Sequence, residues 1–369
     1  MAKILIVGNP SSPLIRQRGL IGQLDGHEIF WFSAVRAELP EVQAFGLPAI
    51  FSKSFLARAV LEPLLLMHAI RLIKPDLIHV HYASKGFSAI PLARFHPLVV
   101  STMGSDIAPT VAYRGIYAPF IKYLLDHADR ITTKSLFMDE TLLEIGDFAH
   151  KIERVTWGID LNHFVLDRST KELRKEWSIP EKEFVFFDPR AARPLYNKHL
   201  ILQAFAEYLK QADIPATLLV AEFNADKKYL SQLKDLAREM NVMHKVRFIK
   251  DIPPDNMADY LSLADIVISI PSSDGFPQTL YEAMACGSFL IVSNMPQYQH
   301  VFEDGITAKF VEGDDVDSIV DGLVWAVSHS KVRQRARALG REYVELHANR
   351  QTQNELVNQM YADLIEVRG

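Results

Sequence analysis

Residues Ala264 to Asn294 read ADIVISIPSSDGFPQTLYEAMACGSFLIVSN. The two ends, ADIVISIPS and SFLIVSN, are continuous apolar runs of buried-strand length, rich in Ile and Val. Between them Asp274-Gly275 makes a turn, a helix-like run follows Pro277, and Gly287 closes it. Strand, helix, strand, with both strands apolar along their length, calls for parallel strands joined by a right-handed crossover in a sheet covered on both faces. A carboxylate near a helix start complements exposed amides and the helix dipole. Asp274 and Glu282 either do only that or serve a ligand, and the rest of the chain decides.

The pattern repeats outward in both directions. In the second half, strands are expected at EFVFFD, ATLLVA, KVRFIK, DIVISI, FLIVSN and AKFV, with helices near Lys198–Gln211, Lys227–Met240, Asp255–Ser262, Thr279–Cys286 and Val316–Ser328. The first half offers strands at KILIVG, EIFWFS, DLIHVHY, LVVST and RITTKS. Helical patterns lie between them near Leu14–Leu24, Phe55–Ile73, Phe87–Arg94, Ile116–His127 and Met138–Glu144. Alternation from end to end predicts an α/β protein of two doubly wound, Rossmann-like halves. Their join is RVTWGIDLNHFVLDRST, Arg154 to Thr170. We expect a first domain over 1–165 and a second over 166–350, with the helix Gln353–Val367, inside 351–369, returning to the first.

Composition narrows the function. At 369 residues, 49% hydrophobic and 23% charged, the chain is globular and long enough for two cores. A net charge of −5 argues against a nucleic-acid binder. The single cysteine, Cys286, excludes an internal disulfide framework and suits a reducing, cytoplasmic setting. MAKILIVGNP reads as a strand and turn rather than a signal peptide. The most apolar helix, Phe55 to Lys74, is broken by Arg58, Glu62, Pro63, His68 and Arg71, so contact with a membrane, through the first domain, is peripheral at most.

Open parallel sheets bind ligands at the carboxyl ends of their strands. Four such loops are polar here. GNPSSP, from Gly8, is a tight turn or a ligand loop. TMGSDI places Gly104, Ser105 and Asp106 after a strand, where Gly makes a turn or admits a ligand. DPRAARPLYNKH brings Arg190, Arg193 and Lys198 to a strand end and helix start, as a diphosphate site or as a solvated loop. The fourth loop is Ser273–Gly287, whose backbone from Gly275 and Phe276 through Pro277 and Thr279 to Leu280 forms an anion cradle. Asp274 suits sugar hydroxyls and Glu282 both hydroxyls of a ribose, so the loops outline a nucleotide sugar. EGDDVD, Glu312 to Asp317, opens an amphipathic helix and reads as its N-cap, not as a metal site.

These residues carry a resemblance. DGFPQTLYEAMACG is similar to the E-x7-E segment of retaining glycosyltransferases of family 4, with Asp274 in the first Glu position and Glu282 in the second. RPLYNK resembles that family's R-x4-K clamp, and VTWGIDLNHF its domain junction; IHVHYASKG, STMGSDI and VFEDGITAKFVEGDD follow in the family's order. The resemblance implies the GT-B fold, with two Rossmann-like domains facing across a cleft. It implies transfer of a hexose, with retention, from a UDP- or GDP-linked sugar to a hydroxyl of a sugar or lipid-linked acceptor, without metal or cofactor, in polysaccharide, glycolipid or glycan assembly. Arg193, Lys198 and Asp274 are the implied catalytic residues. Gly8, Gly104, Arg190, Gly275, Phe276, Pro277, Thr279, Leu280 and Glu282 are implied at the donor, and Arg16, His81, Lys85 and Met103 at the acceptor. Two positions depart from the pattern: Asp274 replaces Glu, and Met103 stands where relatives often carry a His beside the donor hexose. A thioether there favours a donor sugar with a methyl at carbon six, or an N-acetylated one, unless a backbone group or Lys85 replaces the lost bond. A nucleotide-sugar epimerase and a non-catalytic sugar-nucleotide-binding subunit are the alternatives.

Overall fold

The computed structural model describes residues 1–35, 39–47, 55–107 and 115–367, with only the backbone at residues 35, 55–58 and 85. The chain forms two compact units, Met1–Gly158 with Arg350–Gly369, and Ile159–Asn349. Unit one holds β1 (Lys3–Val7), β2 (Glu28–Val35), β3 (Gln43–Leu47), β4 (Leu77–His81), β5 (Leu98–Ser101), β6 (Arg130–Thr133) and β7 (Ile152–Arg154). They run parallel in the order β3-β2-β1-β4-β5-β6-β7. Unit two holds β8 (Phe184–Asp188), β9 (Ala216–Ala221), β10 (Val246–Ile249), β11 (Ile266–Ser269), β12 (Phe289–Ser293) and β13 (Ala308–Val311). These are also parallel, in the order β10-β9-β8-β11-β12-β13.

Both orders reverse direction once, between β1 and β4 in unit one and between β8 and β11 in unit two. That reversal opens a crevice beyond the carboxyl ends of the two strands, because their crossover helices leave to opposite faces. The central strands are buried along both faces, as their unbroken apolar runs require. Separate apolar clusters fill the two sides of each sheet. The helix Arg350–Glu366 belongs to unit one, where Val357, Met360, Tyr361 and Leu364 pack with Ile4, Ile6, Trp31 and Leu77. Among the described residues no helix is long and apolar enough to cross a membrane.

All six strands expected in unit two are present, whereas β3 and β7 lie outside the five expected in unit one. Both sit at sheet edges, and neither is an apolar run: QAFGL is mostly half-exposed and IER is not buried at any position. An edge strand has a partner on one side only and needs no continuous apolar sequence. The helix expected at Leu14–Leu24 is shorter, Pro13–Gly19, capped by Ser12 through Ile15 N and followed by a 3-10 turn at Ile21–Gln23.

Unit one is closed by a tight contact between its two chain segments. Gly158 has φ of +75°, and a Cβ there would stand 2.3 Å from Arg350 Cα and 2.9 Å from its amide nitrogen. Backbone cannot yield as a flexible side chain does. Gly158→Ala should therefore destabilise unit one by about 2 kcal/mol or more, from strain and overlap together. Thermal unfolding checks this, and an unchanged melting temperature would contradict it.

Candidate active site

β8 ends on a charge. Asp188 is 1% exposed and pairs with Lys198, 0% exposed, at 2.8 Å. The Lys198 ammonium also lies 3.3 Å from the Asp188 carbonyl oxygen. Burial pushes the carboxyl up and the ammonium down from their usual ranges, and each partner's charge opposes the other's shift. Lys198 opens the helix Lys198–Gln211, which has no side-chain cap. Asn197 precedes it in the left-handed region, φ 51°, a conformation Asn tolerates better than most residues. Its Nδ2 reaches the Ile270 and Gly313 carbonyls, at 3.0 and 3.1 Å, and the Ser272 hydroxyl at 3.2 Å. The loop after β8 is thus tied to the loops after β11 and β13.

Arg190 projects from the same loop. Its Nη2 pairs with Asp274 Oδ2 at 2.7 Å, both side chains being 10% exposed, and its guanidinium lies 4.5 Å from the Tyr196 ring centroid. Burial opposes its charge, but Asp274, Tyr298 and Tyr196 together hold its pKa above the ordinary value. Its Nη1 is buried without a hydrogen-bond partner. Both oxygens of Asp274 bond within the protein. Oδ1 accepts from the Gly275 amide at 2.7 Å, and Oδ2 accepts from the Tyr298 hydroxyl at 3.1 Å as well as from Arg190. Gln297 donates to the Asp274 carbonyl at 2.6 Å. Burial and the neighbouring carboxylate raise the Tyr298 pKa, so its hydroxyl stays a donor.

Two residues later the chain bends sharply. Phe276 has φ of 70°, unusual for a bulky residue, and its ring is locked among Tyr281, Tyr298 and Phe302 at 4.6, 5.7 and 5.7 Å. The bend starts the helix Gln278–Cys286, with Pro277 at the N-cap position and no side-chain cap. The Leu280 amide bonds the Pro277 carbonyl at 3.2 Å and its side chain is buried, while Thr279 is half-buried in the first turn. Glu282 is half-buried in the second turn. Gly287 ends the helix at φ 84°. Unit two therefore collects Arg190, Lys198, Asp274 and an uncapped helix start at the β8–β11 reversal.

The other expected residues lie apart from this group or are otherwise occupied. Arg193 turns onto the loop after β9, donating to the Asn224 carbonyl and Oδ1 at 2.9 and 2.7 Å. In unit one, the Gly8 amide bonds the Phe32 carbonyl, and the Gly8 carbonyl accepts from Trp31 Nε1, each at 3.0 Å. The Met103 and Gly104 amides both bond Asp106 Oδ1 at 2.9 Å, so Asp106 shapes that loop. Arg16 pairs with Glu41 at 2.5 Å on the surface. His81 is buried with both ring nitrogens unpartnered, stacked on His79 at 4.1 Å between ring centroids. The Lys85 side chain lies outside the described residues. Sequence reading missed Tyr298 and Gln297, although SNMPQYQ after β12 is itself a polar strand-end loop. Among the described residues no group of three His, Cys, Asp or Glu is placed to hold a metal.

Comparisons with known proteins agree with this fold. Residues 169–343 match the family model described as Glycosyl transferases group 1, and residues 41–135 match Glycosyl transferase 4-like. The chain is 24% identical to the N-acetyl-alpha-D-glucosaminyl L-malate synthase of Bacillus anthracis over 71% of this chain and 69% of that protein. It is 26% identical to the D-inositol 3-phosphate glycosyltransferase of Kribbella flavida over 73% of this chain and 66% of that protein. The solved structure of Anabaena Alr3699/HepE in complex with UDP-glucose shares the fold, with a TM-score of 0.80 and 14% identity, covering 99% of this chain and 100% of that one.

The buried pair makes its own prediction. Lys198→Met leaves the Asp188 carboxylate buried and uncompensated, which should cost about 3–5 kcal/mol. The cost grows as the pH rises, because a folded-state carboxyl pKa held above its unfolded value loses stability once deprotonated. Asp188→Asn combined with Lys198→Met should recover most of the loss. Thermal unfolding at acid and neutral pH checks both, and equal stability of the single variant at the two pH values would refute the coupling.

Proposed function

Because the chain belongs to the glycosyl transferases group 1 family and has the GT-B fold, we propose that it moves a hexose from a nucleotide-diphosphate sugar to an acceptor hydroxyl with retention of configuration. The observation that carries this reading is Arg190: a guanidinium held rigidly by Asp274 and Tyr196, with one buried nitrogen unpartnered, beside an uncapped helix start. That is the chemistry a departing diphosphate requires. As the bond from the anomeric carbon to the phosphate oxygen breaks, negative charge builds on the leaving group, and preplaced donors stabilise it with little reorganisation. Arg193 adds positive charge on the same loop, while Lys198 is neutralised by Asp188 and holds the loop in place. The acceptor oxygen bonds the same face of the anomeric carbon and gives its proton to the departing phosphate oxygen.

Asp274 takes a part in addition to the one its position suggested. Its Oδ2 orients Arg190 and its Oδ1 fixes the turn at Gly275, and Oδ1, which accepts a single hydrogen bond, keeps a lone pair for a sugar hydroxyl. Glu282, further along the helix, takes the ribose. The named activities of the two relatives, a glycosyltransferase acting on inositol 3-phosphate and a glucosaminyl malate synthase, support a hydroxyl acceptor. The UDP-glucose held by the Anabaena protein supports a nucleotide-sugar donor.

Arg190→Gln should lower kcat/KM by about 100-fold or more, with kcat itself reduced, since the contact strengthens as charge develops. Glu282→Ala should chiefly raise the donor KM, because a ribose contact is equal in ground and transition states. Steady-state kinetics on a panel of UDP- and GDP-sugars tests both, and an Arg190→Gln enzyme with unchanged turnover would sink the assignment. The positive charge facing the diphosphate comes from side chains, so activity should survive EDTA. Loss with EDTA, restored by Mg2+ or Mn2+, would count against a purely protein-based clamp.

A further inference from the structure

Unit one buries a second polar cluster, at the carboxyl ends of β4, β5 and β6. Arg18 lies on the core side of the helix Pro13–Gly19 and is 5% exposed. Its Nη2 donates to the Thr156 carbonyl, and the guanidinium stands 5.6 Å from the Trp157 ring centroid. A guanidinium carries five N–H donors, and the recorded partners of this one include no carboxylate. Burial lowers its pKa to about 10, which leaves it charged at neutral pH. A charge so deeply buried is costly without a counter-charge. Among the described residues nothing beside it supplies one.

The pocket next to Arg18 is built to do so from outside. Its lining includes Lys134, Thr102, Thr132, His79 and Trp157, and no Asp or Glu. The water-sized space is about 10 Å3 within an open volume of about 280 Å3. The smaller figure is room for about one oxygen atom, so a single oxygen of a terminal group enters to meet Arg18 and the rest of the group stays at the rim, beside Lys134. The back wall is already ordered. His79 Nδ1 meets the Tyr361 hydroxyl at 2.5 Å and Nε2 meets Ser101 Oγ at 2.7 Å, which in turn meets Thr132 Oγ1 at 2.6 Å. Lys134 donates to the Met103 carbonyl at 3.1 Å, which places its ammonium at the rim. Burial, His81 and Arg18 hold His79 neutral, so the positive charge rests with Arg18 and Lys134.

We propose that this pocket binds a terminal anionic group, a carboxylate or a phosphate monoester, on the molecule that receives the sugar. Calling that molecule the acceptor rests on the transfer reaction above; the anion site does not. Thermal shift of the full chain, titrated with sodium phosphate or with sodium acetate against chloride at constant ionic strength, tests it without any turnover. A saturable rise is expected in at least one arm, and it should survive in Arg190→Gln, which disables the cation in unit two. That surviving component should weaken at least about tenfold in Lys134→Gln and in Arg18→Gln, and be unchanged in Lys122→Gln, an exposed control. The half-buried Lys134 keeps the test decisive if Arg18→Gln does not fold. A stronger phosphate arm assigns a phosphate monoester; a stronger acetate arm assigns a carboxylate. No saturable shift in Arg190→Gln, or one undiminished in Lys134→Gln, overturns the proposal. Intact anion binding in a protein that transfers no sugar overturns the transfer reaction and leaves the pocket standing.

Discussion

The carboxylate at the end of β8 sets a condition that the next ten residues must meet. Asp188 sits where a parallel sheet offers no solvent, and a charge there is tolerable only with an opposite charge in contact. Lys198 supplies it from the first turn of the following helix, and the intervening loop has to fold back for the two to meet. That return brings Asn197 into reach of the loops after β11 and β13 and leaves Arg190 against Asp274. A single buried ion pair therefore fixes the separation of the cations, the start of one helix and the approach of another. Neither charge is spent on solvent, so the electrostatic field at the strand ends is set by the fold and screened little by salt.

On β4 of unit one the buried polar side chains are neutral. His79 and His81 stack within the sheet's carboxyl end, both held far toward the neutral form by burial, His81 at about 3. The hydroxyls of Tyr361, Ser101 and Thr132 complete the bonding of His79. Bonded at both ring nitrogens, His79 specifies one arrangement of the surrounding elements, whereas His81 is held by stacking alone. Here the network joins the helix Arg350–Glu366 to β4, which an apolar contact alone would do with less positional definition.

How much of this could be read from sequence depends on where each residue sits. β8 and β11 were legible because central strands are covered on both faces and become unbroken apolar words such as FVFFD and DIVISI. β3 and β7 were not, because an edge strand is half in water and QAFGL or IER has no such signature. The loop residues Arg190, Lys198, Asp274 and Glu282 stood out as charges at strand ends, but their pairings did not. Nothing in the spacing says that Asp188 would take Lys198, or that Asp274 would bond through both oxygens within the protein. Arg18 was illegible for another reason. It occupies a helix face shared with Ile15 and Gly19, and its burial depends on Trp157 and on a helix beginning at residue 350.

The chain passes between the units twice, at Gly158–Ile159 and again at Asn349–Arg350. On a ribosome this reverses the usual order of events. Unit two is contiguous and can close as soon as its own residues have emerged. Unit one, though translated first, must wait for Tyr361 to reach His79 and for Arg350 to meet Gly158. The intervening segment Ile159–Asn349 takes roughly 10–40 s to synthesise at about 5–20 residues per second. During that interval the β4 histidines and the apolar face that Val357 and Met360 will cover lack their partners in the nascent chain, an exposure that contiguous unit two does not share.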